Sequence, residues 1–175
     1  MSDVIVTIGR ENGSGGREVG SILAGILGVK CYDREIIEET AKKAGMDVED
    51  VEKREEGRAP SSLFFGGMPS SNPLFASQSE VVREIASSGS CVIIGRCADY
   101  VLRDRPGVVK VFVTAPVPDR IKRSASRNSI SEKQAYDRIR SKDDERAEYY
   151  RRYTGRIGVH QAAELIAEYI RMSGL

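Results

Sequence analysis

The chain is predicted to fold as a parallel, three-layer α/β sandwich. Its apolar periodicity switches repeatedly between strand-like and helix-like, and its best strands are continuous apolar runs rather than alternating ones. A glycine-rich turn also joins the first strand to the first helix. Continuous apolar strands are the kind a parallel sheet buries on both faces, and alternation with helices supplies the crossovers that parallel pairing needs.

Taken in order, Val4 to Ile8 is the first expected strand and Gly15 to Leu27 the first helix, with Val19, Ile22, Leu23, Ile26 and Leu27 at helical spacing. Gly28 to Tyr32 reads as a turn and a short second strand. Asp33 is placed to cap the next helix, whose inner face is Ile36, Ile37, Thr40, Ala41 and Ala44, and Gly45 to end it. Asp47 to Glu56 is a charged helix. Arg58 to Pro73, rich in Gly, Pro and Ser, is a loop whose Leu63-Phe64-Phe65 is expected to pack back as a lid-like anchor. Helical spacing resumes from Leu74 to Ser87.

Cys91 to Ile94 is a buried strand followed by Gly95-Arg96 and a short helix, Cys97 to Leu102. Val108 to Val113 is expected to be another buried strand, with helix following from Pro118, a good first-turn residue. Glu132 to about Tyr150 is a polar helix with Ala135, Tyr136, Ile139 and Ala147 as its inner stripe, and Gly158 to Met172 is the final helix.

At 175 residues the chain has one domain's length and can bury a real core. Lys and Arg number 27 against 26 acids, so no global field draws it to nucleic acid or to a membrane. Its apolar runs fall far short of the roughly 20 residues of a membrane helix, and Met1-Ser2-Asp3 has no signal-peptide layout. Cys31, Cys91 and Cys97 form no C-x-x-C pair and read as reduced cytosolic thiols, so a cytoplasmic protein is expected. With His160 the sole histidine, no protein metal cage is expected.

The most informative stretch is Asn12-Gly13-Ser14-Gly15-Gly16-Arg17-Glu18. A strand feeding such a turn lets consecutive backbone N–H groups converge on one anion, strengthened by the positive end of the helix dipole. Two nucleotide templates compete for it. The dinucleotide fingerprint G-x-G-x-x-G lacks its third glycine, because Gly13-x-Gly15-x-x leads to Glu18, although Asp33 lies about 20 residues on, where that fold places its ribose acid. In the mononucleotide loop G-x-x-x-x-G-K-[ST], taking Gly15 as the last glycine puts Gly16 at the lysine, and the nearest cation is Arg17.

Ligands of open parallel sheets bind outside the carboxyl ends of the strands. All four strand ends carry charge here: the glycine loop after the first, Asp33-Arg34-Glu35 after the second, Arg96 after the third and Arg120, Arg123 and Arg127 after the fourth. The last three recur along one helix face where a structural helix would be apolar. Phosphoryl transfer needs this assembly of donors and cations converging on oxygens. Lys142-Asp143-Asp144-Glu145-Arg146 either holds those arginines or forms a plain i,i+4 salt-bridge helix.

Four stretches resemble the cytidylate kinase-like group of nucleoside monophosphate kinases, which are P-loop phosphotransferases. They are Ile8 to Gly20, Cys31-Tyr32-Asp33-Arg34-Glu35-Ile36-Ile37, Cys91 to Tyr100 and Lys142 to Ala147, in the family's order across most of the chain. The resemblance implies a single P-loop kinase-like domain over 1–175, with an acceptor-binding insertion over about 38–90 and a lid over about 116–152. It implies ATP phosphates on Asn12, Gly13, Ser14, Gly15, Gly16, Arg17 and Glu18, and an acceptor near Asp33, Arg34, Arg96 and Asp99. Arg120, Arg123, Arg127, Asp143, Asp144 and Arg146 would belong to the lid. From position alone, Arg17, one residue past the lysine site, is expected to stand in part for the lysine, and Arg123 and Arg127, four residues apart on one helix face, to act on the transferring group. Mg²⁺ would ride on the phosphates and water.

The expected reaction is ATP-dependent phosphorylation of a small nucleotide, most plausibly CMP or dCMP. A nucleotide-binding regulator without catalysis and a dinucleotide-dependent oxidoreductase are the alternatives. Two departures stand out: Gly16 replaces the loop lysine, and an apolar strand that relatives carry is missing between Gly155 and Arg156.

Overall fold

The structure is a computed structural model that describes residues 3–55 and 72–155. Along these run β1 (Ile5–Arg10), α1 (Gly16–Leu27), β2 (Lys30–Tyr32), α2 (Arg34–Ala44), α3 (Val48–Glu55), α4 (Pro73–Ser87), β3 (Cys91–Ile94), α5 (Ala98–Val101), β4 (Val108–Val113), α6 (Val117–Asn128) and α7 (Glu132–Thr154). The strands form one sheet in the order β2-β3-β1-β4, every pairing parallel. Ile5 stands opposite Cys91 and Val108, which fixes the faces of the central strands.

Alternation along β1 sorts its side chains between two layers. Val6 and Ile8, with Val92 of β3, pack against Ala24 and Leu23 of α1. Ile5 and Ile93 face the other way, into a cluster with Val81 and Val82 of α4, Ala98 of α5 and Tyr153 of α7. A third cluster, Ile37, Ala41, Val51 and Leu74, ties α2, α3 and α4 together. The expected three-layer arrangement with a parallel sheet is therefore present.

Local chemistry sets most helix ends. Gly28 and Gly45 close α1 and α2 in the left-handed conformation, and Ser131 with Gln134 forms a reciprocal capping box on α7. Asn72 accepts hydrogen bonds from the Leu74 and Phe75 amides, so Pro73, assigned to the loop by sequence, is instead the first residue of α4.

Three further expectations are corrected. Asp33 occupies the position before α2 but makes no capping hydrogen bond, because its carboxylate is drawn into ion pairs with Arg10 and Arg17. Strand β4 is not buried: among the described residues it is the sheet's edge, and Val109, Val111 and Phe112 are exposed. Helix α7 continues past Tyr150 to Thr154, and Tyr136, assigned to its inner stripe, is exposed while Ala135 and Ile139 are buried. The Leu63-Phe64-Phe65 anchor, the helix from Gly158 to Met172 and the chain after Gly155 lie outside the described residues.

Candidate functional site

From its C-terminal end β1 leads to α1 on one face of the sheet, whereas β3 leads to α5 on the other. Loops that diverge from adjacent parallel strands leave a crevice between them. A cleft of about 1230 Å³ opens there, lined among others by Arg10, Arg17, Asp33, Arg96, Asp143 and Arg146. One small molecule usually occupies about 300–1,000 Å³, so this volume has room for two ligands side by side.

The glycine loop forms one wall. Gly15, at φ 86°, precedes α1 in the left-handed conformation, and no side chain caps the helix. The loop is braced from below: the Ser14 hydroxyl donates to Glu11 O at 2.9 Å, and the Gly16 amide donates to Ser14 Oγ at 3.4 Å. From above, Arg120 Nε donates to Asn12 O and Arg123 Nη1 to Gly13 O, each at 2.8 Å. The Asn12 amide already donates to Asp143 Oδ1 at 2.6 Å, so a carboxylate of α7 sits where the first loop amide meets an anion.

Gly16 is required by its neighbour. A Cβ there would stand 2.6 Å from Arg10 Cβ, 3.1 Å from Arg10 Cγ and 3.3 Å from Val113 Cβ. The side chain of Arg10, 14% exposed, therefore lies over the start of α1, and its guanidinium reaches across to Gly95 at the end of β3. Burial lowers Arg10 to about 9, with Arg146 next in effect and Asp33 acting in the opposite sense. It keeps its proton at neutral pH, in company that disfavours it.

Arg96 follows β3 through an unusual turn. Gly95, Arg96 and Cys97 all take positive φ, at 74°, 58° and 51°. Holding a non-glycine residue there costs about 1–3 kcal/mol, strain that concentrates at functional sites. Burial lowers the Arg96 pKa, against the favourable fields of Tyr149 and Asp33. Arg146 is lowered for the same first reason, and its Nη1 donates to Arg10 O at 3.4 Å. Asp33 faces these cations, 3.8 Å from Arg10 Nη2 and paired with Arg17 Nε.

The remaining expected site residues divide. Asp99 and Arg34 line the main cleft, but Asp99 accepts from the Tyr150 hydroxyl at 2.7 Å, and Arg34 is exposed and turned to Glu38 and Glu52. Arg120, expected in the lid, is buried and joins three elements, pairing with Glu11 Oε2 at 3.1 Å and with Asp143. Asp144 lines the cleft from α7. Arg123 and Arg127 line a separate cavity of about 420 Å³ with Arg17, Glu18 and Ser21. Arg96 thus faces one cavity and the α6 pair another, with Arg17 on the border of both.

Sequence reasoning missed Arg10 and the tyrosines Tyr149 and Tyr153 near the end of α7. Tyr149 donates to Gln78 Oε1 at 2.7 Å, and Tyr153 stacks on Phe75 with ring centroids 4.4 Å apart. These contacts fix the C-terminal half of α7 to the core behind Arg96. Among the described residues no three His, Cys, Asp or Glu side chains cluster as a metal site, and no helix is long and apolar enough to cross a membrane.

The sequence profile of the cytidylate kinase-like family matches residues 5–162. The chain belongs to that family. A cytidylate kinase of Methanopyrus kandleri is 27% identical over 161 residues, covering 87% of this chain and 77% of its own. Among solved structures, an uncharacterized protein from Eubacterium ventriosum superposes with a TM-score of 0.70 at 26% identity, covering 98% of this chain and 99% of that one. Shikimate kinase from Bacteroides thetaiotaomicron matches with a TM-score of 0.53 at 16% identity, covering 99% and 100%. This last likeness is one of fold alone, an α/β arrangement of helices around a parallel sheet.

Proposed function

We propose that the chain is a nucleoside monophosphate kinase that passes a phosphoryl group from ATP to CMP or dCMP. The observation that carries this reading is the crevice between β1 and β3. There Arg10, Arg17, Arg96 and Arg146 gather around Asp33 and Asp143, in front of an uncapped helix N-terminus. Family membership and the name of the Methanopyrus kandleri relative support the choice of acceptor.

The loop amides from Gly13 to Arg17 would take the ATP phosphates, since a helix N-terminus binds anions without a lysine. Arg96, aimed by its left-handed turn, would hold the acceptor phosphate, with Asp33, Arg34 and Asp99 along the same wall. Arg123 and Arg127 would reach the transferring group as the 116–152 region closes, bringing the second cavity against the first. Residues about 38–90 would cover the acceptor. Asp33 and Asp143 each already serve two guanidinium groups, which suits a Mg²⁺ ion carried on phosphates and water. Glu18, in the first turn of α1 beside the second cavity, would add one oxygen to that ion, which when bound would neutralise charge on the phosphates.

Gly16 at the lysine position favours a second reading, a nucleotide-binding regulator without catalysis. The oxidoreductase alternative loses its main support, because Asp33 is engaged by Arg10 and Arg17 instead of standing open to a ribose. Purified protein incubated with MgATP and each nucleoside monophosphate separates these readings. The kinase reading expects ADP and a nucleoside diphosphate in equal amounts, with CMP or dCMP preferred. Nucleotide binding without turnover on any acceptor would leave the regulator.

A further inference from the structure

Counting back from Gly15 in the frame G-x-x-x-x-G-K places the first glycine of that frame at position 10. This chain therefore departs from the frame twice, and the departures are reciprocal: an arginine stands at the first glycine, and a glycine stands at the lysine. The structure shows that the two positions share one volume. A side chain on residue 16 would meet Arg10 at its Cβ, 2.6 Å away, an atom anchored to the strand that no rotamer change can move. The clash that a Cβ on Gly95 would make is of another kind, since it meets the guanidinium tip, which can swing.

We propose that Arg10 replaces the missing loop lysine, delivering from the end of β1 the cation that the mononucleotide loop delivers from the first turn of its helix. The inference rests on the phosphotransferase reading above. Arg17, which adjacency in sequence suggests for that role, is 57% exposed and paired with Asp33 at the rim. Arg10 is enclosed, faces the same carboxylate at 3.8 Å, and lies between the glycine loop and the β3 turn that aims Arg96. Burial and Arg146 make its charge costly in the free protein, and a polyphosphate would relieve that cost. A guanidinium also gives planar, two-pronged contact to phosphate oxygens where an ammonium gives a point charge.

The test compares the parent with Arg10→Ala, Gly16→Lys and the double exchange Arg10→Gly/Gly16→Lys, reading ATP affinity by calorimetry and kcat/KM for ATP with CMP. Arg10→Ala should lose about 10²–10³-fold in kcat/KM, the usual loss for a charge-stabilising donor. Gly16→Lys alone should be similarly impaired, because the new side chain meets Arg10. The double exchange should regain at least about tenfold over either single variant, a non-additivity expected only of residues that share a volume.

Arg10→Ala within threefold of the parent, or a double exchange no better than its poorer single variant, overturns the inference and leaves the kinase reading standing. A parent that neither binds nor uses ATP sinks both. Should Arg10→Ala melt below the assay temperature, Arg10→Lys and Arg10→Met replace it. Retained turnover in the lysine variant with loss in the methionine variant upholds the role, and equal behaviour removes it.

Discussion

Two groups of arginines meet near the glycine loop, and they are balanced differently. Arg120 of α6 is 5% exposed, yet it has a carboxylate on either side, Glu11 and Asp143, and a carbonyl at its Nε. Around the β1–β3 crevice, Arg10, Arg96 and Arg146 are all lowered in pKa, burial being the first cause. Asp33 and Asp143 face them, but Asp143 is shared with Arg120. A cation set between two carboxylates is part of the architecture, whereas a cluster of cations whose pKa values are lowered by burial marks a candidate site for an anionic ligand. The contrast separates residues that build the loop from residues that would use it, a distinction that arginine spacing along α6 does not reveal.

Breaking the Arg120 side should produce the largest effect. Arg120→Ala removes the buried guanidinium that Glu11 and Asp143 share and frees the loop carbonyl of Asn12, so a loss of about 3–5 kcal/mol in unfolding free energy is expected by denaturant titration. A variant that melts with the parent would return Arg120 to the lid. Next, Arg127→Ala should lower turnover by about 10³-fold while leaving ATP affinity within a few-fold, if Arg127 closes onto the transferring group. Unchanged turnover in steady-state assays would confine it to the surface of the second cavity.

In the crevice, Arg96→Ala should raise the KM for the acceptor monophosphate by about 10–100-fold through loss of one charge-assisted contact, with a smaller change in kcat. A fall in kcat with KM unchanged would move Arg96 from the acceptor to the transition state. The smallest effect sharpens the comparison without mutation. Inorganic tripolyphosphate at about 100 times its Kd should add about 2.7 kcal/mol of stability, a rise of several degrees in Tm. Equal ionic strength from sodium chloride should not reproduce it. If salt alone gives the same rise, the crevice has no more appetite for phosphate than the rest of the surface.

The fold was legible because its signals are local. Val4 to Ile8 is apolar but for Thr7 and Cys91 to Ile94 is apolar throughout, and β1 and β3 are the two central strands. Gly28 and Gly45 end helices where only a left-handed residue closes the last turn. Edge position is not local, so Val108 to Val113, apolar but for Lys110, read as buried although β4 borders the sheet. The site was legible as a place: the glycine loop and the strand ends do converge on one crevice. Its pairings were not. Asp33 has the spelling of a helix cap, but its partners Arg10 and Arg17 come from the strand two places away and the helix before it. Arg10 itself stands where the mononucleotide frame has its first glycine, and only the folded chain shows its side chain lying over Gly16.

The central claim is that the guanidinium groups gathered in the β1–β3 crevice receive nucleotide phosphates. Calorimetric titration of the full chain with MgATP and with adenosine tests it most directly, because the two ligands differ only in those phosphates and their ion. Two or three charge-assisted contacts of about 1.5–3 kcal/mol each predict that MgATP binds at least about 10²-fold more tightly than adenosine. Equal affinity for the two, or no binding of MgATP, would contradict the account.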